Sequence, residues 1–148
     1  MKKFLASFIM PLAILLAGCS TIEEASNSIN YVSEAKNYID DLNQFANELP
    51  TIAEAAVTDV NSNVQLEELL TGMQSQIEEF NVLEAPSMLE DIHTQITEHN
   101  KDLINDIEVY LENIEAGTLS SELLTEIGLL EEVSVYNDLL NQMIELNE

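Results

Sequence analysis

The sequence predicts an all-α protein, an antiparallel bundle of about four helices that follows a cleaved signal peptide. Three observations carry that reading. Apolar residues recur three and four positions apart through most of the chain, and no stretch alternates with a period of two. Four glycines and three prolines are the only strong breakers in 148 residues.

The first eighteen residues form the leader. Lys2-Lys3 is basic, Phe4 to Leu16 is an apolar run of about thirteen residues, and Ala17-Gly18 is small, as in a secretory signal peptide. The run falls short of the ~20 residues a spanning helix needs, and Pro11 interrupts it, so a permanent transmembrane anchor is not expected. The cut site Leu16-Ala17-Gly18-Cys19 resembles the lipobox read by the lipoprotein-specific signal peptidase. That resemblance implies a covalent diacylglyceryl lipid on Cys19, with palmitate-type chains and a further N-acyl group where the pathway adds one. An ordinary secreted protein with a chance cysteine is the bland alternative. Cys19 is the only cysteine, so it closes no internal disulfide, and a free thiol is a liability in an oxidising compartment unless chemistry consumes it. Two acyl chains, each contributing ~0.8 kcal/mol per buried methylene, anchor stably where one exchanges.

Residues 19–148 then read as a single domain. The first helix is expected at about 21–49, its stripe made by Ile22, Ala25, Ile29, Val32, Ala35, Ile39, Leu42, Phe45 and Leu49. Ser20 or Thr21 caps it and Pro50 stops it. After an alanine-rich turn and a polar break at Asp59 to Asn63, a second helix at about 64–81 carries Leu66, Leu70, Met73, Ile77 and Phe80 on one face. A third, at about 86–116, starts with Pro86 in its first turn and ends before Gly117, a natural left-handed terminator. The fourth is expected at about 120–146, loosened at Gly128.

Charge narrows the function. Once Lys2 and Lys3 leave with the leader, Lys36 and Lys101 stand against 28 acids, a net charge of about −26 with no arginine. Phosphate binding needs clustered cations, so nucleic acid is excluded as a partner, and anionic headgroups repel the folded body. Attachment is therefore expected through Cys19 alone. Dissolved cations should screen the self-repulsion and raise the melting temperature.

Few residues suggest chemistry. Glu90 and His93 have the Glu-x-x-His spacing of di-iron bundles, but no second copy exists, so we read them as helix-surface residues and expect no metal site. His99 falls where the stripe of the third helix continues between Ile96 and Leu103, as a partly buried, hydrogen-bonded core histidine. Tyr31, Tyr38, Tyr110 and Tyr136 either line a groove or sit at the bundle boundary with rings inward; packing is the favoured reading. No free thiol, no Gly-x-Ser-x-Gly and no glycine-rich phosphate loop is present. No catalytic residue and no cofactor beyond the lipid is expected.

The stretches Asn30 to Ala35, Phe45 to Pro50, Ile77 to Asn81, Leu83 to Pro86 and Asp91-Ile92-His93 resemble a family of small lipoproteins of unknown function from Bacillus and related Gram-positive bacteria. The resemblance implies a place on the outer face of a Gram-positive cell membrane. The expectation is a non-enzymatic binding or envelope-associated bundle, whose partner is an envelope protein or wall component. The alternative is a receptor for a small molecule or divalent cation.

Overall fold

A computed structural model describes residues 20–120, 123 and 133–147, with side chains from Ser26 onward. Leu16, Ala17, Gly18 and Cys19 of the leader and cut site, and Gly128 in the fourth predicted helix, lie outside the described residues. Among the described residues there are four helices and no strand: α1 (Ser20–Ala56), α2 (Val60–Asn81), α3 (Glu90–Ala116) and α4 (Val133–Leu146).

Side-chain contacts fix the topology. Tyr31 and Tyr38 meet Phe80, near the end of α2. Asn81 meets Asn100, Asn100 meets Tyr136, and Asn43 meets Asn137. Successive helices therefore run antiparallel, while α1 and α3 lie parallel across the bundle, with Tyr31 facing His93 and Tyr38 facing Asn100. The stripes close on one core in which Ile39, Leu42, Leu66, Leu70, Ile77, Ile96, Leu103 and Ile107 are each less than 2% exposed.

Three boundaries differ from expectation. Pro50 does not stop α1, which runs through it to Ala56. A proline inside a helix lacks the N–H that would bond to residue 46 and crowds that carbonyl, at roughly 3 kcal/mol. Pro50 is exposed, however, and beyond it Ala53 and Ala56 are buried in the core cluster with Ile52 packed against it. Tertiary burial outweighs the local break. The polar stretch 59–63 is not a break either. Asp59, in extended backbone, caps α2 by accepting from the Ser62 N–H at 2.8 Å, so the helix begins four residues before the expected start. Pro86 precedes α3: the Leu89 N–H donates to the Pro86 carbonyl at 2.8 Å in a turn, and α3 starts at Glu90.

Gly117 behaves as expected. Its φ of 65° is left-handed, and its N–H and that of Thr118 return to the carbonyls of the last turn. Ser120 Oγ accepts from the Leu123 N–H at 3.3 Å, the contact expected of a cap there.

The bundle has two ends. At one, Ser28 donates to Asn147 Oδ1 at 2.5 Å and lies 3.7 Å from Met88 Sδ, joining α1, the α2–α3 connection and the residue after α4. This is the end nearer Cys19. The other carries the α1–α2 turn and Gly117. A helix of 37 residues separates α1's start from its finish, or about 55 Å at 1.5 Å per residue.

Candidate functional site

The tyrosine rings pack inward, and only the edges of Tyr31 and Tyr38 border shallow surface concavities, of about 360 and 260 Å³. Tyr31, Tyr38 and Tyr136 are buried and belong to one layer in the half nearer Ser20. Asn100, fully buried on α3, is its centre. Its Oδ1 accepts from Tyr38 Oη at 2.5 Å and from Tyr136 Oη at 2.9 Å, and its Nδ2 donates to Asn81 Oδ1 at 2.6 Å. An amide oxygen has two lone pairs, and here both are used. The Tyr38 ring stacks on Phe80 with centroids 4.4 Å apart and an 18° tilt. Beside this hub, Tyr31 Oη and His93 Nδ1 share a hydrogen bond of 2.6 Å, with the His93 ring 5.3 Å from Phe80. Tyr110 is also buried, but it lies ten residues further along α3, about 15 Å away.

Both histidines are half-buried, as expected for His99 alone, and the hydrogen bond expected of His99 is made by His93. His93 is not a plain surface residue; half-buried against Tyr31 and Phe80, it packs as a core ring would. Glu90, its motif partner, is exposed. His99 is half-buried with its ring 5.9 Å from Tyr136; among the described residues it makes no hydrogen bond, and the stripe position between Ile96 and Leu103 belongs to Asn100. Both positions satisfy three-and-four spacing, which is why periodicity alone does not separate them.

Burial sets the titration behaviour of the layer. It raises the Tyr31 and Tyr38 hydroxyls well above the ordinary tyrosine value, with Glu34 adding to the effect at Tyr31. The Asn100 and Tyr136 hydrogen bonds oppose it at Tyr38. Burial also lowers His93 below its usual value, favouring the neutral ring. These groups bond one another and are shaped for packing. No three His, Cys, Asp or Glu side chains gather as metal ligands among the described residues.

A separate concavity, unforeseen in the sequence, opens at the distal end between the first turns of α2 and the last turns of α3. Its volume is about 840 Å³. Val60, Val64, Leu111 and Ile114 supply apolar surface, while Glu67, Glu108, Glu112 and Glu115 border it. Val60 is 79% exposed and Val64 51%, unusual for valines in a helix next to a core. Asn63 also lines the groove, and its Oδ1 is buried without a hydrogen-bond partner. The signal for this surface was present as valines four apart just after Asp59, one in the stretch read as a break and one at the expected start of the second helix.

Fold and site together define an all-α bundle with a hydrogen-bonded polar layer inside it and an open groove at one end. The chain belongs to the family of unknown function DUF6376, which matches residues 31–146 and so includes every residue of the polar layer and of the groove. It is 31% identical over 147 residues to the uncharacterized lipoprotein YybP of Bacillus subtilis (strain 168), a match covering 99% of each chain. No solved structure gives a significant match. No helix among the described residues is long and apolar enough to cross a membrane.

Proposed function

We propose that this protein is a lipid-anchored extracytoplasmic bundle that binds an envelope partner and has no catalytic activity of its own. The observation that carries the reading is the contrast between a sealed interior and an open distal groove. The hydroxyls, amides and imidazole that an enzyme would turn toward substrate bond each other inside the bundle. The exposed concavity has an apolar floor and no acid–base pair matched to a nucleophile, a surface suited to contact. Leu16 to Cys19 supports the anchor, as does the lipoprotein name of the Bacillus subtilis relative.

The anchor and the groove have a defined relation. α1 begins at Ser20, next to Cys19, and continues as one helix to the turn before Val60. Lipid on Cys19 would leave the groove about 50 Å from the attachment point. With about −26 on the mature chain, the lipid has no electrostatic help from the folded body. Cys19→Ser should therefore move the protein from the membrane to the soluble fraction. Membrane retention of that variant at the wild-type level would overturn the anchor.

A further inference from the structure

We infer that the distal groove docks a basic amphipathic helix of a partner protein, a conclusion that rests on reading the molecule as an anchored binding bundle. Two properties of the groove select that occupant. Its apolar residues come in pairs at helical spacing from both walls, Val60 with Val64 on α2 and Leu111 with Ile114 on α3. Such a trough accepts the i, i+3, i+4, i+7 face of another helix. Lining residues on α2 run from Val60 to Thr71, about 17 Å or three helical turns.

The rim selects charge. Glu108, Glu112 and Glu115 follow one another four and three residues apart along α3, and Glu67 stands across from them. Like charges at that spacing repel, and no lysine relieves them: Lys36 is paired with Asp40 on α1, and Lys101 lies two turns before Glu108. A helix with lysine or arginine flanking its apolar face neutralises this rim, while an anionic polymer or lipid headgroup is repelled by it.

The test uses the full mature chain carrying Cys19→Ser, so that no detergent competes for the probe. A labelled helical peptide of leucine and lysine, with leucine on one face, is titrated by fluorescence anisotropy beside a scrambled peptide of the same composition. The striped peptide should bind saturably at roughly micromolar concentration, and the scrambled one about tenfold more weakly. Val64→Asp, and separately Glu108→Gln with Glu112→Gln, should each weaken the striped peptide about tenfold with the melting temperature kept within a few degrees. Equal binding of both peptides, or unchanged binding to the variants, would reduce the effect to net charge and overturn the docking site.

A second arm separates this inference from the reading beneath it. In cells, a photo-crosslinking residue replaces Val64 in one variant of the lipidated protein and Ser33, exposed on the anchor-side half of α1, in another. A crosslink at Val64 mapped to a Lys/Arg-rich helical segment supports the docking site. Crosslinks at Ser33 alone overturn the groove and leave an anchored binding protein. No protein crosslink at either position overturns both.

Discussion

The half of the bundle nearer Ser20 packs rings and amides, whereas the distal half packs mostly aliphatic side chains and leaves a groove open. In the first, four helices meet around Asn100, whose oxygen holds hydroxyls from α1 and α4 while its nitrogen reaches Asn81. Each of these bonds has a preferred geometry, so the layer sets which helix faces which as well as contributing stability. The reciprocal Asn43–Asn137 amide pair, at 3.0 and 3.1 Å, repeats the device on the α1–α4 side. In the second half the core is Leu66, Leu70, Ile107 and similar residues, joined by Tyr110. Apolar packing there is indifferent to direction, and Val60 and Val64 stay in solvent. In the polar layer specificity is internal; at the distal groove it is left to whatever binds.

Changes at the two ends should therefore differ in kind. The largest effect is expected from Asn100→Ala, which removes the acceptor shared by the Tyr38 and Tyr136 hydroxyls and the donor to the Asn81 amide oxygen. At about 1 kcal/mol for each hydrogen bond lost, denaturant unfolding should show a loss of about 3 kcal/mol. A loss under about 1 kcal/mol would mean that the layer is not the ordering element.

Pro50→Ala should act in the opposite direction. Restoring the missing helix bond is worth roughly 3 kcal/mol, less about 0.4–1 kcal/mol for the looser unfolded chain. A gain of about 2 kcal/mol is expected in urea melts; a destabilised variant would show that the proline matters to α1 in another way.

The pH response should come from the half nearer Ser20. Burial lowers His93 in the folded protein relative to its ordinary value of 6.5, so the unfolded chain takes up the proton first. The stability linked to the neutral ring is fully present above about pH 6.5 and is lost as pH falls through the folded value. Neutralised carboxylates relieve self-repulsion over part of the same range, so the comparison is with His93→Gln. The stability of the two proteins, measured by urea melts across pH 7.5 to 5, should change in parallel above 6.5 and converge below it, and curves parallel throughout would contradict the assignment. Smallest of all is Val64→Asp, which is expected to change stability by less than about 0.5 kcal/mol, since half of that side chain is already in water.

Most of the frame was legible in the sequence, for a physical reason: each stripe of apolar residues at helical spacing has one way to be buried. The left-handed turn at Gly117 was legible too, because few other residues adopt it. Local rules failed where tertiary packing overrode them. Pro50 reads as a stop, yet Ala53 and Ala56 are held in the core beyond it. Asp59 and Ser62 form a cap whose polar character resembles a loop. His99 and Asn100 fit the stripe equally well, and the choice depended on hydroxyls from α1 and α4 that no local pattern reveals. The groove was hidden for a related reason: Val60 fell in a polar stretch and Val64 outside the apolar stripe, and only the assembled bundle sets them opposite Leu111 and Ile114.

The proposed presentation of the groove depends on α1 being a single rod from Ser20 to the distal end. The direct measurement is the distance between spin labels at Ser26 and Ala55, both exposed on α1, in the lipidated protein on vesicles; Cys19, the only native cysteine, is then occupied. A continuous helix through Pro50 predicts one narrow distribution centred at about 44 Å for 29 intervening steps. A broad distribution, or a centre below about 35 Å, would contradict the rod and with it the presentation of the groove away from the membrane.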